Sequence, residues 1–261
     1  MSNIKIKQKN SIQLVVARYN EELDWLLAIN NIDILIYNKG ENNIEYVKTL
    51  LNKKNMNCII INLDNIGREG HTYINHIINN YNNLYNHTIF AQGFPFDHSP
   101  MIYTKINSYK NNSNIKFEFT NDILECDYLG LPIRMCDNGS WFYMPIIEIY
   151  NKLFLNKIKM KTVNNIITGP IFEFGAGAQF IVSKERIQSR SIKFYKKILT
   201  LFINPIKIYD GKEYSNKDPI EGYIIERLWK YIMTDDDKHN ISIKTQINQM
   251  LKRYRKINFW K

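Results

Sequence analysis

The chain is expected to fold as an α/β structure, an open and mostly parallel sheet with helices on both faces and a less regular C-terminal half. Three features carry that expectation. Short continuous apolar runs recur through the N-terminal part, segments of helical periodicity separate them, and polar turns close each run. Strands buried on both faces read as unbroken apolar runs, and their alternation with helices is the mark of crossover connections.

The first run, residues 14–17, is broken by Arg18-Tyr19-Asn20. A helix follows from Glu21, with Leu23, Leu26, Leu27 and Asn30 at helical spacing and Asn20 as its N-cap. Next come a strand over 32–37 closed by Asn38-Lys39-Gly40, a helix over 44–51 and a strand over 58–63. A helix over 68–81 and a strand over 88–91 complete the regular part. Beyond it lie a strand over 115–119, an acidic stretch over 121–127 and the aromatic patch 141–145. The small-residue turn Gly175-Ala176-Gly177 then feeds a strand that ends where a helix opens at Ser183. The last clear helix spans 219–233, with Pro219 at its first position, Asp218 as N-cap and Asp218…Glu221 at capping-box spacing.

No linker or repeat divides the 261 residues. Because α/β domains of roughly 250 residues are common, one domain is expected. It comprises an N-terminal half over about 12–100, a second half over about 101–240 and a basic tail over 241–261. Hydrophobic residues at 44% and charged residues at 23% fit a globular chain rather than a disordered or collagen-like one. No apolar run approaches the roughly 20 residues of a membrane span, and the first ten residues lack a leader's apolar core. The cysteines, Cys58, Cys126 and Cys136, form no CxxC pair, which points to a reducing, cytoplasmic setting.

A net charge of +10 favours anionic partners, although a chain this rich in Asn, Ile, Lys and Tyr also reads as the product of an AT-rich genome. The run 252–256 with Phe259 and Trp260 could contact nucleic acid or an acidic membrane surface. A solvated helix face is the simpler reading, so nucleic acid is not an expected partner.

In open α/β sheets ligands sit beyond the carboxyl ends of the strands. That rule selects the loops 18–24, 38–40, 65–71 and 92–98, all rich in polar and charged side chains. The helix beginning near Arg68 offers exposed amides and a guanidinium, a natural seat for an anion. Its glycines, Gly67 and Gly70, fall on the inward stripe and allow a close backbone approach. His71 lies at the stripe's edge, either packed or in contact with a ligand, whereas His76 points to the opposite face and is expected in solvent. Glu221 shares the apolar face of the last helix and is either a cap or a carboxylate at the rim of the cleft; Glu226 flanks that face. No GxGxxG follows the first strand, and Walker A, HExxH and GxSxG are absent. The acidic run 235–237 reads as a solvated loop rather than a cation site.

Several blocks resemble a known family. Val15-Val16-Ala17-Arg18-Tyr19-Asn20-Glu21-Glu22 is similar to the opening strand and loop of GT-A glycosyltransferases. The segments 36–40, 67–73, 90–98, 177–183 and 225–229 together resemble an uncharacterised glycosyltransferase-related family of bacterial polysaccharide clusters, fungi and large DNA viruses. The resemblance implies a GT-A-like fold whose N-terminal half takes a nucleotide-sugar donor, UDP- or GDP-linked, and whose second half takes a glycan or other hydroxyl acceptor. It implies donor contacts from Arg18, Asn20, Glu21, Asn38, Lys39, Arg68, His71, Gln92 and His98. A catalytic base would come from Glu221 first, then Glu226 or Asp97. Tyr143 and Trp141 could stack on a sugar, or simply pack in the core. Many such enzymes hold Mn or Mg with Asp-x-Asp after the fourth strand. Here Gln92-Gly93-Phe94-Pro95-Phe96-Asp97-His98 stands in that place, so a divalent cation is not a firm expectation. A sugar- or nucleotide-binding module without turnover is the alternative, and a basic nucleic-acid-associated protein is the third.

Overall fold

The computed structural model describes residues 11–41, 44–54, 56–110, 114–131, 143–154, 158, 161–163 and 166–234. In chain order these form β1 (Ile12–Arg18), β2 (Asp33–Asn38), α1 (Glu45–Lys53), β3 (Cys58–Asn62), α2 (Arg68–Asn80), β4 (His87–Gln92) and α3 (Ile102–Tyr109). The second half contributes β5 (Phe117–Phe119), β6 (Ile123–Cys126), α4 (Ile146–Leu153), β7 (Lys161–Val163), β8 (Ile166–Thr168), β9 (Phe172–Gly175) and β10 (Phe180–Ser183). It closes with α5 (Lys184–Gln188), α6 (Ile192–Ile203), β11 (Ile208–Tyr209), β12 (Lys212–Glu213) and α7 (Ile220–Met233).

The fold is mixed α/β around a six-stranded sheet of order β3-β2-β1-β4-β10-β5. The first four strands are parallel; β10 runs antiparallel to β4 and to β5. Alternation along the parallel strands divides the core. Val15, Ala17, Leu35, Tyr37 and Phe90 face α2, α6 and α7, whereas Leu14, Val16, Ile34, Ile36 and Ile89 face α1, α3 and the 3-10 turn Asp24–Ala28. Burial on both sides is why these strands read as continuous apolar runs.

Between β1 and β4 the strand order reverses, and a crevice at the carboxyl ends of the strands is expected there. Because β10 is antiparallel to β4 in the register Phe180↔Phe90, the turn Ala176–Ala178 ahead of it lies beside the carboxyl end of β4.

Three local expectations change. The helix after β1 is only the 3-10 turn Asp24–Ala28, with Leu23 rather than Asn20 at its cap. Residues 21–23 precede it because the Arg18 guanidinium takes the carbonyl of Glu21, 2.9 Å from Nε. Asp218 does not cap α7: Pro219 holds the cap position, and the Asp218 carboxylate takes Arg68 Nη1 at 3.1 Å and the Tyr223 hydroxyl at 3.1 Å. His76 is buried rather than solvated, its ring edge-on to Phe90 and to Tyr37, whose hydroxyl lies 3.2 Å from Nδ1. Ser183 does cap a helix, its Oγ accepting the Arg186 N–H at 3.2 Å.

Candidate functional site

The loops leaving β1 to β4 converge, and their contacts begin with buried polar side chains. Arg18, 3% exposed, donates through Nη1 to Asn38 Oδ1 at 2.6 Å and to the Tyr19 carbonyl at 2.9 Å. Asn38 donates to the Gly40 carbonyl at 3.0 Å. Lys39 reaches across to the turn before α2, its Nζ donating to the Ile66 and Arg68 carbonyls at 2.6 and 2.5 Å. Burial lowers the Lys39 ammonium to about 7, with the Glu69 carboxylate acting against that shift. Arg18, Asn38 and Lys39 thus use their donors to tie loops together.

Glycine sets the closest approaches. A β-carbon at Gly40 would lie 1.5 Å from the Tyr19 carbonyl oxygen, and one at Gly93 would lie 2.4 Å from Glu21 Oε2. The Glu21 carboxylate also accepts the Tyr19 N–H at 2.6 Å, and Trp25 Nε1 donates to the Gly93 carbonyl at 2.7 Å. The loops after β1, β2 and β4 therefore form one packed rim.

On the other side of the rim, Gly67 and Arg68 both take left-handed backbone conformations, with φ of 64° and 53°, and turn the chain into α2. Gly67 and Gly70 face the ring of Phe202 on α6 rather than another backbone. His71, 5% exposed, stands edge-on to Phe202 with Nε2 3.1 Å from Asn75 Nδ2, and burial lowers it to about 4. The expected anion seat at this helix start is partly taken, because the Glu69 carboxylate bonds its own backbone N–H and the Gly67 N–H donates to the Asn216 carbonyl at 2.8 Å.

Arg68 spans from α2 to α7. Its aliphatic stem lies against Gly222, where a β-carbon would come within 2.8 Å of Cδ. Its guanidinium sits 4.2 Å from the Tyr223 ring centroid, 3.1 Å from Asp218 and, through Nε, 3.7 Å from Glu69 Oε2. The neighbouring carboxylates hold it protonated against burial. One turn along α7 from Gly222, Glu226 accepts the Gly177 N–H at 2.8 Å and lies 3.6 Å from Arg227 Nη1. Gly177 has φ of 75°, and a β-carbon there would strike the His98 ring at 2.5 Å and approach Gln92 Oε1 at 3.1 Å. Gln92, His98, Gly177 and Glu226 form one line of contacts along the carboxyl edge of the sheet, and Glu69, Arg68 and Lys39 form another, which meets α7 where the Arg68 stem lies against Gly222.

The other expected residues fall elsewhere or stay open. Asn20, Asp97 and His98 are exposed beside the rim. Glu221 is 1% exposed; its Oε1 accepts the Ile206 N–H at 2.8 Å, and the nearby cations are Lys152 and Lys207. Tyr143 is 48% exposed, while Trp141, the run 235–237 and the basic tail lie outside the described residues. Glu69, Tyr73, Gly177 and Gly222 received no role from the sequence. The adjacent opposite charges Arg68-Glu69 and Glu226-Arg227 were the available signal, but nothing local pairs them across the fold.

No three His, Cys, Asp or Glu side chains gather closely enough to hold a metal ion among the described residues. Among the described residues, Asp97 and His98 are neighbours with no third such donor beside them. No described helix is long and apolar enough to cross a membrane.

Fold and site together define an α/β protein with charged and polar side chains gathered at the carboxyl edge of a mostly parallel sheet. Residues 143–247 match a family of proteins of unknown function, DUF3431. That stretch includes Gly177, Gly222 and Glu226 but not Lys39, Arg68 or Glu69. Among solved structures, the chain is similar to core-mannan synthase A from Aspergillus fumigatus in its Mn/GDP form, with a TM-score of 0.38 and 10% identity over 84% of this chain and 70% of that one. Likeness at that level carries no chemistry from one protein to the other. No curated protein matches the sequence.

Proposed function

We propose that the cleft transfers a sugar from a nucleotide-sugar donor, UDP- or GDP-linked, to a hydroxyl of a glycan or other acceptor. The observation that supports this reading is a cation, Arg68, set against Gly222, one turn of α7 before a held carboxylate, Glu226, at the edge where the strand order reverses. Transfer needs both. The acceptor oxygen bonds to the anomeric carbon as its proton passes to a carboxylate, and the bond to the diphosphate oxygen breaks with its electron pair leaving on the nucleotide. Arg68, whose side chain is 29% exposed, faces the charge that develops on the leaving group. Glu226 is the proposed base, ahead of exposed Asp97; Glu221 serves the junction between α6 and α7 through Ile206. Asn20 and His98, both exposed at the rim, are the proposed donor contacts, while Arg18, Asn38, Lys39 and Glu21 shape the rim.

That no metal-holding group of side chains stands among the described residues favours a second reading, in which the site binds nucleotide or sugar without turnover. A panel of UDP- and GDP-sugars separates the two. At least one donor is expected to raise the melting temperature at sub-millimolar concentration and to release nucleoside diphosphate in the presence of mixed glycans. Glu226→Gln should reduce that release by about 100-fold or more while the donor still stabilises the protein. Stabilisation without release in the wild type would leave the second reading, and stabilisation by no donor would reject both.

A further inference from the structure

We propose that the loop after β4 is a saccharide-binding platform, on which Phe94 stacks against the C–H face of a neutral sugar ring. The platform rests on the glycosyl-transfer reading only in naming that sugar the acceptor; the binding itself is measured without any donor.

Phe94 is 46% exposed, yet it is not a loose surface ring. It stands at 71° to Phe96, with ring centroids 5.2 Å apart. Phe96 in turn packs on Tyr103 at 5.5 Å and edge-on against Trp25 at 6.1 Å. Trp25 is buried and roots this stack in the core layer on the α1 and α3 side of the sheet. Tertiary hydrogen bonds fix the backbone beneath the rings. Trp25 Nε1 donates to the Gly93 carbonyl at 2.7 Å, Gln179 Nε2 to the Pro95 carbonyl at 3.0 Å, and Ser99 Oγ to the Thr120 carbonyl at 3.1 Å. Gln179 and Ser99 are both buried. A ring held in this way gives up little freedom when a ligand covers it, so stacking on it carries a small ordering cost.

Charge selects the partner. The whole chain carries +10, but the charged side chains of the two loops that meet at Gly93, residues 19–24 and 92–101, are Glu21, Glu22, Asp24 and Asp97, all acidic. Such a corner repels a phosphate backbone or an anionic membrane. Ionised carboxylates only accept hydrogen bonds, and sugar hydroxyls donate them. Asp97 and His98, both exposed, follow Phe94 in the same loop and supply acceptors for the hydroxyls at the edge of a stacked ring. The C–H bonds of a pyranose face carry a slight positive charge, which the negative face of an aromatic ring attracts. The platform also adjoins the proposed base: a β-carbon at Gly177 would strike the His98 ring, and the Gly177 N–H donates to Glu226. A quaternary ammonium ion is the rival occupant, because carboxylates around an aromatic ring also attract a cation.

NMR of the full-length protein with carbon-13 in its phenylalanine rings tests the platform. The probes are neutral oligosaccharides of glucose, galactose and mannose, with tetramethylammonium beside them. At least one oligosaccharide is expected to shift the Phe94 ring signals saturably in the millimolar range, while its own C–H protons move upfield under the ring current. Phe94→Ala should weaken that binding about 10-fold. Phe94→Leu should lose as much, because leucine keeps an apolar side chain but offers no aromatic face; Phe94→Trp should retain the binding. Where a UDP- or GDP-sugar stabilises the wild type, it should stabilise Phe94→Ala equally. The platform is overturned if no oligosaccharide shifts Phe94, if Phe94→Leu binds as tightly as wild type, or if tetramethylammonium alone shifts the ring. Saccharide binding at Phe94 in a protein that no sugar nucleotide stabilises would keep the platform and reject the transferase. Sugar transfer whose acceptor KM is unmoved in Phe94→Ala would reject the platform and keep the transferase.

Discussion

Gly40→Ala is expected to cost about 3 kcal/mol of stability, the upper end of what overpacking costs, and to lower the melting temperature by roughly 6–12 °C. The β-carbon would lie 1.5 Å from the Tyr19 carbonyl oxygen, so the loops after β1 and β2 have to separate. That oxygen also accepts from Arg18, and the Gly40 carbonyl accepts from Asn38. Separation therefore disturbs the buried Arg18–Asn38 contact that aligns both loops. Gly211→Ala is the control: its φ of 73° strains an alanine, but nothing lies within 4 Å of the new carbon. It should cost about 1 kcal/mol. Equal losses in the two variants by calorimetry would show that the rim is not packed as described.

The second large effect is acid sensitivity through His76. Burial lowers His76 to about 3, with no partner for Nε2, whereas an unfolded histidine titrates near 6.5. Between those values the unfolded chain binds the extra proton, so stability falls as the pH falls, by up to about 1.4 kcal/mol per pH unit. From pH 6 to 4.5 this amounts to about 2 kcal/mol from His76 alone. His71, lowered to about 4, adds in the same direction. Glu69 and Glu221, both raised by burial, act oppositely: the stability tied to their protonated forms is lost as pH rises. His76→Phe keeps an edge-on ring against Phe90 and gives up the contact with the Tyr37 hydroxyl. Urea unfolding at the two pH values should show wild type losing about 2 kcal/mol more than this variant. Parallel losses would mean that His76 is protonated within the fold.

These effects also show how much of the molecule was legible in its sequence. The four parallel strands were, because a strand covered on both faces leaves an apolar run such as 14–17 that no local competitor obscures. His76 was misplaced because helical periodicity assumes one buried face, whereas α2 is covered by the sheet on one side and by α6 and α7 on the other. Asp218 and Glu221 have the spacing of a capping box, but Arg68 and Ile206 claim their carboxylates. A partner 150 residues away, as Arg68 is from Asp218, leaves no trace in local pattern. The four strand-end loops were found by topology alone, while the seat of Arg68 against Gly222 needed the packing of α2 on α7.

Amide-resolved NMR titration with UDP and GDP tests the location of the cleft most directly. Shift changes are predicted at Tyr19, Asn20, Arg68, His98 and Gly177, on the carboxyl edge of the sheet. At the other end of the strands lies a cavity of about 360 Å³, lined by Ser11, His87, Lys110 and Glu185 among others. Changes confined to that cavity, or no saturable change with either nucleotide, would contradict the assignment of the cleft.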